Sequence, residues 1–289
     1  MRFYLLFASL FLLSFPKAQN HYDWFKIKKY KVSTLDSKIK ENSSLDFHKD
    51  KLYTLNDGGN PAELFELDPK SGKILNVHSL SFPNKDWEAL SSDSLSFYVG
   101  DFGNNAGSRK DLTIYKVDGE SFALQKKMGF YFPEQPKVKV KLHQHDFDVE
   151  SLLFLDNKLH VFTKQWQSQK VSHYLVDPNT DITNSPAQLL ETFDSGFMAT
   201  DVAFDQGKLY MVGYTKKMEV FLSVFTRDSD GKFFSSLPKK YFLGLSSSIG
   251  QIESITIHKE RVYLSGEEFR YRFLHAAPAL YSFPLEKLK

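Results

Sequence analysis

The chain has 289 residues, 37 of them basic and 35 acidic, with no cysteine. Without Arg2 and Lys17 of the leader described next, the charges balance at 35 against 35, so the broad basic field that nucleic acid or anionic lipid would select is missing. Disulfides and a lipid-modified cysteine are excluded, whereas 27 Phe and 14 Tyr favour pleated, packed sheet.

In chain order, Arg2, the apolar run Tyr4–Phe15 and the small residue Ala18 read as a secretory signal over residues 1–18. The run is twelve residues long, short of the roughly 20 that span a bilayer. The expectation is therefore a secreted or periplasmic bacterial protein, with residues 19–289 as one domain and no membrane span after cleavage. Next comes a lone strand, Trp24–Val32 (WFKIKKYKV).

Five hairpins follow. They begin at Ser43, Glu88, Glu150, Thr200 and Glu253, and in each an aromatic or His stands ten residues on: Tyr53, Tyr98, His160, Tyr210 and Tyr263. The turns fall at His48–Asp50, Ser92–Ser94, Asp156–Asn157, Gln206–Gly207 and Lys259–Glu260. More strand material follows the hairpins, broken by turn clusters such as Asp68–Gly72, Asp177–Asn179 and Asp228–Gly231. The unit is thus four antiparallel strands recurring at spacings of 45, 62, 50 and 53 residues, the repeat length of a propeller blade. After the fifth hairpin one strand remains, Ala279–Leu285 (ALYSFPL), which joins the N-terminal strand to complete the last blade and close the ring. The fold expected is an all-β, five-bladed β-propeller. Six blades would need a hidden strand set within residues 100–149.

In each blade the start of the first strand and the end of the second lie at one edge, because the two run antiparallel. These edges carry the polar residues, thirteen or fourteen positions apart in the chain. Glu88, Asp148, Glu150, Asp201 and Glu253 are the candidate metal ligands. Converging carboxylates raise one another's pKa or recruit a cation, and calcium accepts a loose set of oxygens. Asn56, Asp57, Asp101, Asn104, Asn105, Arg109, Lys164, Tyr214, Glu267 and Arg270 are the candidate ligand-binding residues. The loop Asp101–Arg109 is long and glycine-containing, as a flexible backbone around a ligand would be. Architecture alone offers a competing explanation, since a duplicated unit carries its polar strand start into every copy. In His143–Glu150 (HQHDFDVE), a strand would place His143 and His145 on one face and Asp146, Asp148 and Glu150 on the other. That spread is not a structural zinc pattern. No nucleophile elbow, phosphate loop, dinucleotide fingerprint or zinc-protease helix occurs.

Several strings resemble the secreted bacterial propellers related to the domain named for the esterase-like activity of phytase. They are Asp86–Leu90 (DWEAL), Tyr98–Asn105 (YVGDFGNN), Arg109, Leu112–Lys116 (LTIYK), Asp148–Leu152 (DVESL), Thr163–Lys164 and Ile252–Ile255 (IESI). The likeness spans about residues 40–270. It implies a calcium-type propeller acting on phosphate or ester substrates, although Ser43 and Thr200 stand where an acid would. Three functions follow as expectations: a monomeric exported propeller binding a small molecule, glycan or protein at its polar mouth with calcium, a calcium-dependent hydrolase of phosphate or carboxylic esters, or an interaction scaffold.

Overall fold

The computed structural model describes residues 21–136, 141–179 and 184–288; the expected leader, residues 1–18, lies outside them. Four of the five hairpins turn on a pair of residues with positive φ: Lys49–Asp50, Asp156–Asn157, Gln206–Gly207 and Lys259–Glu260. Such two-residue turns match the right-handed twist of the strands they join. The hairpin of the second repeat turns over a longer segment, closed where the Asp93 amide donates to the Ser96 carbonyl at 3.0 Å.

Each hairpin grows into a four-stranded antiparallel sheet. Blade 1 comprises Asn42–His48, Lys51–Asn56, Glu63–Leu67 and Ile74–Ser79. Blade 2 comprises Trp87–Ser92, Ser96–Asp101, Leu112–Asp118 and Leu124–Tyr131. Blade 3 comprises Asp148–Leu155, Lys158–Lys164, Val171–Val176 and Gln188–Phe193. Blade 4 comprises Met198–Asp205, Lys208–Tyr214, Glu219–Thr226 and Lys239–Leu245. Blade 5 takes Gln251–His258, Arg261–Glu267 and Ala279–Pro284 from the C-terminal end, and its outermost strand, Lys31–Thr34, from the N-terminal end.

The first strand of every blade packs against the first strands of both neighbours, and that of blade 5 returns to that of blade 1. The described chain is a closed, five-bladed β-propeller. Among the described residues of 100–149 there is no sixth strand set: they hold the end of the second strand and the two outer strands of blade 2, the start of the first strand of blade 3, and the loops between them. The lone N-terminal strand expected at Trp24–Val32 is split. Asp23–Trp24 runs parallel to the outer strand of blade 4, a 3-10 turn over Ile27–Tyr30 buries Ile27, and Lys31–Thr34 then joins blade 5.

Packing follows the same five-fold plan. The buried apolar residues fall into five clusters, one at each junction between successive blades. The aromatics that mark the repeat, Tyr53, Tyr98, Tyr210 and Tyr263, are buried in four of them. A pleated strand sends alternate side chains to opposite faces, so both faces of each blade are covered by its neighbours. Polar bridges supplement the apolar contact. Ser44 Oγ accepts from the Leu90 amide across blades 1 and 2, and Ser91 Oγ from the Phe154 amide across blades 2 and 3, each at 2.9 Å. Among the described residues no helix is long and apolar enough to cross a membrane.

Candidate functional site

All five innermost strands break their ladder at one place. The register shifts between Asn42 and Ser44, Trp87 and Ala89, Val149 and Ser151, Ala199 and Asp201, and Ile252 and Ser254. The residue left without a partner is in turn Ser43, Glu88, Glu150, Thr200 and Glu253, the first position of every repeat. A β-bulge re-aims the side chain of its extra residue and bends the strand. Here five bulges lie at one level, and four of the five residues they free, Ser43, Glu88, Glu150 and Glu253, line one opening of the channel.

The result is a well of about 370 Å3 at one mouth, lined by Ser43, Asp57, Glu88, Asn105, His143, Glu150, Lys164, Trp166, Gln251, Glu253 and Glu267. Five of these carry carboxylates and one an ammonium. Lys164, at the end of the second strand of blade 3, is buried. Its Nζ lies 3.0 Å from Glu150 Oε1 and 3.9 Å from Glu253 Oε2, and over the rings of Trp166 at 5.0 Å and Tyr214 at 5.2 Å. Gln251 Nε2 donates to Glu253 Oε1 at 2.5 Å and to Glu267 Oε1 at 2.6 Å. His143 stacks on Trp166 with ring centroids 4.0 Å apart.

Burial and crowding together disfavour charge on these acids. Burial first, then Glu150, Asp57, Asp148 and Asp86, pushes the Glu88 carboxyl well above the usual range. Glu150 is also pushed well up by burial, against the pull of Lys164. Glu253 rises for the same reason against the same pull, and Glu267 rises through burial and the nearby Glu253. Burial brings Asp57 to about 7, helped by Asp86 and opposed by the amide of Gly58. For Lys164 burial acts against the ammonium, but Glu150 and Glu253 outweigh it and hold the group charged.

The expected site residues divide by location. Glu88, Glu150, Glu253, Asp57, Asn105, Lys164 and Glu267 meet in the well, and Tyr214 lies buried against Lys164. Asp148 stands behind the wall, where it accepts from the Asn104 amide at 2.7 Å, the Val149 amide at 3.1 Å and Trp166 Nε1 at 2.6 Å. Asp201 similarly bridges blades 4 and 5, accepting from the amides of Val202 at 2.8 Å and Ile255 at 2.9 Å. Thr200 turns its hydroxyl to the Ile252 carbonyl at 2.9 Å.

The loop from Asp101 to Arg109 is laced internally. Arg109 donates to Asp101 Oδ1 at 3.0 Å, the Asp101 carbonyl at 3.1 Å and the Gly103 carbonyl at 2.9 Å, while Asn104 Oδ1 accepts from the Arg109 amide at 2.8 Å. Asn104 Nδ2 also donates to the Phe147 carbonyl at 2.8 Å. Asn56 Nδ2 donates to the Lys38 carbonyl at 2.7 Å, and Asn56 Oδ1 is buried without a hydrogen bond. Arg270 lies apart, on a separate hairpin of Phe269–Tyr271 and Leu274–Ala276, where its exposed side chain pairs with Glu268 at 2.6 Å.

The strand expected through His143–Glu150 begins only at Asp148. His143 adopts φ 55° and faces Trp166, while His145 Nε2 lies 2.9 Å from the Asn105 carbonyl, so the two histidines serve the loop rather than one sheet face. Trp166, Gln251 and Asp86 were not expected as site residues. Trp166 was findable, since it follows Lys164 by two positions just beyond a second-strand end.

No family model matches the chain, and no curated protein matches it. Solved structures do. A putative oxidoreductase (glucose dehydrogenase) from Thermus thermophilus aligns with 88% of this chain and 98% of its own, at TM-score 0.50 and 10% identity. The WD40 repeats of RRP9 align over 87% of this chain and 96% of theirs, at TM-score 0.44 and 10% identity. A putative 6-phosphogluconolactonase from Bacteroides uniformis aligns over 83% and 71%, at TM-score 0.42 and 11% identity. The likeness is one of fold. Function has to be argued from the well itself.

Proposed function

We propose that this propeller binds a small polar ligand in the acid-lined well at one mouth of its channel, with a calcium ion held among the same carboxylates. The observation that carries this reading is the charge imbalance: five buried or half-buried carboxylates and one ammonium around a single opening. An excess of that kind is relieved by protons or by a cation. The well is of the size that small-molecule sites have. Oxygen donors without cysteine suit a hard ion, and Asp57 and Glu88, the acids of the well that neither Lys164 nor Gln251 pairs with, are the residues that would hold it. A bound calcium would contribute positive charge and open coordination positions for ligand hydroxyl or carboxylate oxygens.

A second reading is hydrolysis of a phosphate or carboxylic ester. It is favoured by the charged Lys164 at the well wall and by the resemblance to propellers named for esterase-like activity. In that case Lys164 would steady the anionic substrate while the ion polarised it. The leader supports export, which is checked by locating the mature chain, beginning at Gln19, in periplasmic or culture fractions.

Calcium titration followed by thermal melting tests the main reading. Specific binding to the folded chain raises the midpoint steadily with concentration, by about 2.7 kcal/mol of stability at a hundred times the dissociation constant. A midpoint that does not move rejects calcium. If it moves, a panel of phosphomonoesters and carboxylic esters, with and without calcium, decides between binding and hydrolysis.

A further inference from the structure

The well is not uniform around its rim. On the side of blades 3 and 5 every acid has at least one partner: Lys164 pairs with Glu150 at 3.0 Å and more distantly with Glu253 at 3.9 Å, and Gln251 donates to Glu253 and Glu267, although Glu253 Oε2 itself takes no hydrogen bond. On the side of blades 1 and 2 the case is different. Asp57, Asp86 and Glu88 each bring an oxygen atom to within 4.8 Å of the others. Glu88 is only 3% exposed, and among the described residues no hydrogen bond or ion pair reaches its carboxylate, which opens on the well. The nearest cation is Arg109, with Nη1 3.7 Å from Asp86 Oδ2, and its guanidinium is already held by Asp101 and the Gly103 carbonyl.

Two glycines make the room. A Cβ on Gly103 would stand 2.3 Å from Glu88 Oε1 and 2.6 Å from Asp86 Oδ2, and one on Gly58 would stand 2.5 Å from Asp86 Oδ1. Neither glycine has positive φ, so what each supplies is space beside the carboxylates rather than backbone freedom. Three acidic side chains without histidine or cysteine form a hard-oxygen set. Calcium tolerates irregular shells of this kind better than magnesium, which demands a near-ideal octahedron.

We propose that Asp57, Asp86 and Glu88 seat the divalent cation off the axis, at the junction of blades 1 and 2, leaving Glu150, Lys164 and Glu253 to meet the ligand. The proposal deepens the ligand-well reading and rests on it. Two of the ligands lie in loops, one after the second strand of blade 1 and one before the first strand of blade 2, so the ion would also tie these two blades together.

The test is calorimetric titration of calcium chloride into the mature chain, paralleled by terbium luminescence sensitised by the nearby tryptophans, with circular dichroism confirming the fold of every variant. Wild type should take up one ion. Asp86→Asn and Glu88→Gln should each weaken uptake about tenfold or more, and Gly103→Ala, which changes no charge, should do the same, whereas Glu150→Gln should stay close to wild type. Calcium bound normally by Asp86→Asn and Glu88→Gln but lost in Glu150→Gln and Glu253→Gln would overturn the seat and leave the well a cation site on its axis. No uptake by the wild type would overturn both.

Discussion

The two halves of the channel are built from the same five strands and differ in almost everything else. At the near mouth every strand carries a bulge and the walls bear five carboxylates around about 370 Å3. Further down, the ladders run in register and the space shrinks to about 180 Å3, lined by Leu45, Leu90, Leu152, Val202, Ile255 and their neighbours, with Asp46 as its one acid. That acid is provided for locally: Ser92 Oγ donates to it at 2.6 Å and the Phe47 amide at 2.8 Å. A regular strand end can be filled by packing. A ring of unpaired residues aimed at one point needs polar or charged partners, and in this molecule the partners on the protein side fall short.

The comparison breaks most severely at Lys164. Lys164→Met should leave Glu150 and Glu253 buried with no counter-charge and cost about 3–5 kcal/mol in urea unfolding at neutral pH, as removal of one partner from a buried pair does. A loss below about 1 kcal/mol would mean that protons, not Lys164, already neutralise the near mouth.

The far half is probed by Asp46. Burial pushes its carboxyl up to about 7, against hydrogen bonds from Ser92, Phe47 and Thr256. The folded chain therefore holds this proton more tightly than the unfolded chain does. Its contribution is complete below about pH 4 and declines as pH rises toward 7, with a slope of at most about 1.4 kcal/mol per pH unit. Asp46→Asn should flatten that part of the stability profile, measured by urea unfolding between pH 4 and 8. An unchanged profile would assign the slope to the near mouth instead.

Much of this was legible in the chain, and the reasons differ residue by residue. The five repeats announced themselves because the inward alternation, the turn and the aromatic of the second strand recur in step; Tyr53, Tyr98, Tyr210 and Tyr263 are spaced as they are because each fills a blade junction. The convergence of Glu88, Glu150 and Glu253 followed from antiparallel geometry alone. The bulges did not show, since Ser, Glu and Thr at a strand start look the same whether or not the ladder skips them. Asp148 and Asp201 carry the same chemistry as the well acids, but their oxygens are taken by backbone amides one residue away or across a blade and, for Asp148, also by the Trp166 indole. Only coordinates separate an acid that bridges backbone from one that faces open space. Arg109 was legible as a cation near the mouth, though not as the residue that ties its own loop together. Asp86 escaped because it lies before the strand, in a segment with no periodicity to place it, and the room left by Gly58 and Gly103 is invisible without its neighbours.

The most direct measurement is diffraction at the manganese absorption edge from crystals of the mature chain soaked in manganese chloride, an oxygen-seeking stand-in for calcium. The account predicts a strong anomalous peak inside the near mouth, within coordination reach of the Glu88 carboxylate, and none in the far half of the channel. A near mouth holding water alone, with peaks confined to the outer surface, would contradict it.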